Sequence, residues 1–264
     1  VLAGDTFDQD AFDRCDKESV RKELQALEPK GQVYAVLGNH DPSSACREIR
    51  AFFEAAGIHL LVDACMETDA FMIAGRDDIL GNPIGDLVGK QPCRKPLLVI
   101  DHNPLGIEDG IAQNAALVLC GHTHKEQFFP ATLVTKLAYG PRGFYGHFQT
   151  GETHSVVSAG AGYFQLPVRI GTNSEIVVLH IELNPLPGKG RDQTTPQHLL
   201  KSRNSPHSIQ MRLIQRPEAG NPAANRPFPR ASPQDDRDLP LFDSRHGTRS
   251  SGALRMQGGL FRIS

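Results

Sequence analysis

The chain of 264 residues has no CxxC pair, no apolar run near the roughly eighteen residues of a membrane span, and no charged-then-apolar leader at its start. Its five cysteines, Cys15, Cys46, Cys65, Cys93 and Cys120, are scattered and odd in number. That pattern argues against a disulfide framework and fits a reducing compartment. Charge is scarce by sign in different places. Residues 1–184 hold 15 Lys+Arg against 24 Asp+Glu, whereas residues 185–264 hold 13 against 6 and carry 10 of the 19 prolines. The chain therefore divides near Asn184.

The chain as a whole is 39 % hydrophobic, enough for a real core, and its first part has the patterning of a packed domain. Val1-Leu2-Ala3 reads as a short strand, and Val20, Leu24 and Leu27 recur at helical spacing over 16–27. A buried strand is expected over 32–37, then a helix over 45–56 capped by Ser43 or Ser44 and stopped by Gly57. Short strands follow at 58–62 and 70–74. Residues 81–96 read as a loop with one helical turn near Asp86. Strands are expected at 97–100 and 116–120 with weak helix between them, irregular chain over 125–153, and closing strands at 156–158, 168–170 and 176–181. Strands separated by helices indicate an α/β sheet with its site along the carboxyl ends of the strands.

Those ends carry the chemistry. The strands deliver Asp5, then Asn39 with His40, then His102, then His122 and His124. A His-x-His pair alone is more often solvated loop surface than a metal site. Four strands each ending in a metal-capable side chain are most simply explained by one shared site. Mixed carboxylate, amide and imidazole donors suit Mn, Fe or Zn better than Ca or Mg. No Ser or Cys stands out beside them as a nucleophile, so a metal-bound hydroxide is the candidate. Asp41 and Asp8 read as loop-orienting groups, and Cys120 as a small buried hydrophobe. His59, His147, His154 and His180 have no motif around them.

Gly4-Asp5-Thr6-Phe7-Asp8, Gly38-Asn39-His40-Asp41, Asp101-His102-Asn103-Pro104 and Gly121-His122-Thr123-His124 resemble the ordered motifs of the calcineurin-like metallophosphoesterases. The stretches Val157 to Gly162, Pro167-Val168-Arg169 and Glu175-Ile176 resemble the end of the domain in the bacterial YkuE- and YaeI-type branch. The resemblance spans 1–184. It implies a metallophosphatase-type β-sandwich of two mixed sheets flanked by helices, and a centre of two divalent ions. Asp5 would bridge both ions, Asn39, His102 and His122 would complete the second, and His124 would bind the first. His40 would lie beside the phosphate to stabilise charge or protonate the leaving oxygen. A hydroxide bridging the metals would attack the phosphorus of a mono- or diester.

The family's Asp-x-His motif, expected on a strand before Asp5, has no counterpart from Val1 onward. The domain is thus expected to lack its first strand, as an amino-terminally truncated chain would, and to hold one ion fully and the other in part. A non-catalytic scaffold that keeps the fold and binds a protein partner is the alternative. Substrate choice is expected to lie in the loops 81–96 and 125–153. Residues 185–264 read as a disordered Pro/Arg-rich tail whose dispersed cations, without interleaved aromatics, make a weak footprint for nucleic acid. Relatives often begin with a membrane anchor or export signal, so a membrane-associated location through an upstream segment stays open beside a cytoplasmic one.

Overall fold

Leu97-Leu98-Val99-Ile100 and Leu117-Val118-Leu119-Cys120 are apolar at every position, as strands covered on both faces must be. The computed structural model of the chain, which describes residues 1–7, 11–26, 31–78, 81–89, 95–128, 131–164, 168–183, 209–216 and 259–263, shows how that cover is built. In chain order the strands and helices are β1 (Leu2–Ala3), α1 (Ala11–Arg14), α2 (Lys17–Gln25), β2 (Val33–Val36), α3 (Arg47–Ala55), β3 (Ile58–Leu60), β4 (Ala64–Glu67), β5 (Met72–Gly75) and α4 (Ile84–Val88). Next come β6 (Leu97–Ile100), a 3-10 turn at Pro104–Gly106, α5 (Ile107–Ala112), β7 (Leu117–Cys120), α6 (Ala131–Phe144), β8 (Gly146–Thr150), β9 (Thr153–Val157) and β10 (Ile176–Leu183). The last two are β11 (Ile209–Arg216) and β12 (Gly259–Ile263).

They form two mixed six-stranded sheets, in the orders β11-β10-β12-β1-β2-β3 and β4-β5-β6-β7-β9-β8. Strands β1, β2 and β3 run parallel, as do β5, β6, β7 and β9. The carboxyl ends that carry the motifs therefore lie on one edge of each sheet.

Side-chain alternation sorts the core into layers. Leu98, Ile100, Leu117 and Leu119 meet Ala3, Tyr34, Val36, Val177 and Leu179 between the sheets. Leu97, Val99, Val118 and Cys120 point the other way onto Ile84 and Ile107 of α4 and α5. On the outside of the first sheet, Leu2, Ala35 and Leu37 pack with Phe12, Val20, Leu24, Ile49, Phe52 and Phe53 from α1, α2 and α3. The result is the sandwich of two mixed sheets flanked by helices.

Several local expectations need correction. Asp16 does cap α2, accepting from the backbone N–H of Glu18 and Ser19, but Cys46 rather than a serine stands at the start of α3 and makes no side-chain cap. Strand β4 was not foreseen, and 168–170 contributes only an isolated bridge between Ile170 and Phe128. The segment 125–153 is not irregular throughout, since it holds α6 and β8. Gly140 (φ 67°) interrupts α6 and divides it into two helical segments, and Pro141 opens the second, where a proline is tolerated. Within 185–264, expected to be disordered, Ile209–Arg216 and Gly259–Ile263 are strands, and the rest of that stretch lies outside the described residues. The alternation of Ile209, Met211 and Leu213 with Gln210 and Arg212 is a strand pattern that the Pro- and Arg-rich average conceals. Strand β12 lies antiparallel beside β1 and parallel beside β10.

Leu119 is fully buried between the sheets and Leu137 is 87 % exposed. Leu119→Ala should therefore cost about 2–5 kcal/mol in urea unfolding, whereas Leu137→Ala should stay within about 0.5 kcal/mol of the parent.

Candidate metal centre

Three of the four motifs leave their strands through turns that glycine or strained backbone makes possible. Gly4 has φ 79°, and a Cβ there would sit 2.6 Å from Cγ of His102. A Cβ on Gly38 would run into the Asp5 carboxylate and approach His102 Cε1 to 2.8 Å. Asp5 (φ 50°), His122 (φ 67°) and His124 (φ 50°) are themselves left-handed, a conformation that costs energy outside glycine and collects at functional sites. Asp41 ties the first two loops together, its carboxylate accepting the N–H of Phe7 at 2.8 Å and of Gly38 at 2.9 Å.

Asp5 and Asn39 arrive from the first sheet, and His102 and His122 from the second. Asp5 Oδ2 lies 3.2 Å from His102 Nε2. Asn39 Oδ1 lies 3.1 Å from that nitrogen and 2.9 Å from His122 Nδ1, and the two ring nitrogens are 3.2 Å apart. Among the described residues, Asp5, His102 and His122 are a group of ligand atoms all within 4.8 Å of one another. Four lone-pair atoms from two sheets thus crowd one point, an arrangement that a cation relieves.

The far sides of both rings are held. His102 Nδ1–H donates to the Ala3 carbonyl at 2.8 Å, and His122 Nε2 is 2.8 Å from Tyr139 Oη on α6. Such outer contacts set tautomer and ring orientation in metal sites. Asp101 is fully buried and paired with Arg76 at 2.8 Å, which also reaches Asp109 at 3.2 Å. It therefore anchors the His102 loop from beneath and is no surface partner of the histidine.

His124 stands apart from that group. Its ring is stacked on Phe164 with centroids 5.7 Å apart, and it is 8 % exposed with both ring nitrogens lacking a hydrogen-bond partner. Arg169 fixes its backbone, donating to the carbonyls of His124, Ala159 and Gly162. His40 donates its N–H to Asp5 Oδ1 at 2.9 Å and sets its ring edge-on to the same Phe164, with centroids 4.9 Å apart. Asp8 lies outside the described residues, as do Cys93 and parts of the loops at 81–96 and 125–153.

Electrostatics follow from this crowding. Burial alone would lower the His102 pKa, but the adjacent Asp5 carboxylate and the Ala3 carbonyl outweigh it and lift the ring to about 9. Asp5 is itself held below its ordinary value because His102 and the His40 N–H overcome its burial. Burial, then the His102 charge, pushes His122 down to about 4, and burial does the same to His124. Asp41 is raised to about 7 by burial and then by Asp5.

Sequence reasoning missed Asp78, Tyr139 and Phe164. Asp78 follows β5 as the other polar groups follow their strands, and its buried Oδ1 has no hydrogen-bond partner. Burial raises its pKa while the nearby His102 opposes the shift. The strand-end rule that located the other residues would have found it. No comparable signal marked Tyr139 or Phe164.

Residues 1–126 match the family model for the calcineurin-like phosphoesterases. The chain is 30 % identical over 167 residues to an uncharacterized metallophosphoesterase of Helicobacter pylori, covering 60 % of this chain and 45 % of that one. It is 26 % identical over 200 residues to an uncharacterized metallophosphoesterase of Aquifex aeolicus, covering 72 % and 73 %. It is 28 % identical over 205 residues to a zebrafish (Danio rerio) transmembrane protein with metallophosphoesterase domain, covering 67 % and 44 %. The chain thus spans about half the length of several curated relatives it matches. No solved structure matches it at a significant level. The narrower resemblance to the YkuE- and YaeI-type branch rests on the motifs alone.

The pKa values give one expectation with a definite sign. His102, raised from 6.5 to about 9, contributes stability that is complete below pH 6.5 and is lost as pH rises to about 9. Asp41, protonated in the fold up to about 7, loses stability in the same direction. His122 and His124 work oppositely, but only between about pH 4 and 6.5. The melting-temperature advantage of chelator-treated parent over His102→Gln should therefore shrink progressively from pH 6.5 to 9, a difference that isolates His102 from the Val1 amine, whose pKa, lowered to about 6 by burial, acts in the opposite direction. With its motifs in order along the chain and its donors converging, the chain is similar over residues 1–126 to the calcineurin-like phosphoesterases.

Proposed function

We propose that the protein hydrolyses phosphate mono- or diesters with divalent ions of the Mn, Fe or Zn type. The observation that carries this reading is the convergence of Asp5, Asn39, His102 and His122 on one point from two sheets. These four residues would hold one ion. His124, buried with two unpartnered nitrogens, and the second face of the Asp5 carboxylate are suited to another. Donors of this kind fit such ions: buried polar atoms without partners are costly, and a cation satisfies them. Bound ions would supply Lewis-acid stabilisation of phosphoryl oxygens and raise the acidity of water.

The chain's own residues divide the remaining work. His40, turned toward Phe164 and tied by its backbone to Asp5, is placed to stabilise charge on the phosphate or to protonate the leaving oxygen. Asp41 holds the loops of Asp5 and Asn39 in register. Tyr139 keeps the Nδ1 lone pair of His122 facing the group by engaging Nε2. The substrate is a phosphoester, and a protein related to this one is named for its transmembrane character, which extends the proposal to substrates at a membrane.

With added Mn, purified protein should hydrolyse bis-p-nitrophenyl phosphate, and His122→Ala should lower the rate at least a hundredfold. Activity that persists in excess chelator, or that His122→Ala leaves intact, would contradict the proposal. Tyr139→Phe, which keeps the ring and removes the hydroxyl, should weaken metal affinity about tenfold or more by titration calorimetry.

A further inference from the structure

The histidines of the site are not held alike. His102 is fixed from outside by the Ala3 carbonyl and His122 by the Tyr139 hydroxyl. His124 has no hydrogen bond on either ring nitrogen, although it is buried and its backbone is left-handed at φ 50°. Its ring lies instead on Phe164, with the two planes 25° apart and the centroids 5.7 Å apart. The His40 ring meets the same phenyl ring at 61°, with centroids 4.9 Å apart. One aromatic ring thus seats two histidines from two motifs. Offset stacking also leaves the nitrogens of His124 clear of the phenyl ring, because their lone pairs lie in the imidazole plane.

Phe164 is placed by the loop that carries His124. Gln127 is buried; its Oε1 accepts from the Phe164 N–H at 2.5 Å and its Nε2 donates to the Phe164 carbonyl at 2.6 Å. Two bonds to one residue fix both the amide and the backbone that it grips. Arg169 joins the same parts from the other end, donating to the Gly162 carbonyl at 2.6 Å and to the His124 carbonyl at 2.9 Å. The Ile170 N–H donates to the Gln127 carbonyl at 2.6 Å. Residues 124–127, 162–164 and 169–170 therefore form one brace, which keeps the phenyl ring and the His124 ring in a fixed relation.

We infer that Phe164 is a positioning residue of the candidate site: its ring, held by Gln127 and Arg169, orients His124 for an ion and sets His40 beside it. For His102 and His122 a hydrogen bond does this work, and for His124 the flat face of the phenyl ring replaces it. A leucine would fill much of the same space without offering such a face. The use of that orientation rests on the reading of His124 as an ion donor, whereas the orientation itself is measured on protein without metal.

The test treats the chelator-stripped full chain with diethyl pyrocarbonate, which modifies accessible imidazole nitrogens, and reads each histidine by peptide mass spectrometry. His124 should react slowly in the parent and in Phe164→Tyr, which keeps the ring, and several-fold faster in Phe164→Leu. Gln127→Met, which frees the backbone of Phe164 without touching its ring, should also speed the reaction. His102, fully buried and held by other contacts, is the control and should stay protected throughout. In Mn dialysis, Phe164→Leu should hold the ion that His124 binds about tenfold more weakly and the other as the parent does. His124 as slow in Phe164→Leu as in the parent, or as fast in Phe164→Tyr as in Phe164→Leu, would overturn the inference. Loss of His102 protection in both Phe164→Leu and Gln127→Met would overturn it too, since Phe164 would then be a general prop of the fold. A parent that takes up one ion and still shows the expected histidine pattern would contradict His124 as an ion donor and support the role of Phe164.

Discussion

The contact between Asp5 and His102 is the constraint on which the rest of the site depends. A carboxylate that follows β1 and an imidazole that follows β6 meet 3.2 Å apart at almost zero exposure, and each comes from a different sheet. Burying two such groups is costly unless each is satisfied. His102 meets that cost through the Ala3 carbonyl on its other nitrogen, and Asp5 through the His40 N–H. The sandwich is therefore pinned at the carboxyl edges of both sheets, where Asn39 and His122 then have a fixed point to converge on.

Close approach at that point explains the backbone around it. Gly4 and Gly38 leave no room for a side chain beside the His102 ring, and Asp5, His122 and His124 accept left-handed conformations. Such strain persists only where the surroundings over-determine it. Asp41 beneath the first two loops, Arg76 and Asp101 beneath the third, and Arg169 behind the fourth are those surroundings. Helix α6 closes the arrangement by joining Tyr139 to His122.

The parts legible in sequence were those governed by local rules. Leu97 to Ile100 and Leu117 to Cys120 had to be covered on both faces, and the polar groups that follow such runs marked the edge where Asp5, Asn39, His102 and His122 meet. The structure left His124 outside the closest group, which spacing alone does not reveal because positive φ at both histidines turns their side chains apart. Helix α6 escaped because its Gly- and aromatic-rich surroundings read as irregular chain, and Tyr139 escaped with it. Strands β11 and β12 escaped because a Pro- and Arg-rich average hides a short alternating segment. Their pairing with β10 and β1 joins residues far apart in sequence, which no local pattern encodes.

If Asp5, Asn39, His102 and His122 form a site for a divalent ion, chelator-stripped protein should take such an ion up again. Equilibrium dialysis of chelator-stripped protein against Mn, with metal content measured per chain for the parent and for Asn39→Ala, tests it most directly. The parent should hold at least one tightly bound equivalent, and Asn39→Ala should lose it or hold it markedly more weakly. A parent that retains no metal, or an Asn39→Ala protein that retains as much as the parent, would contradict it.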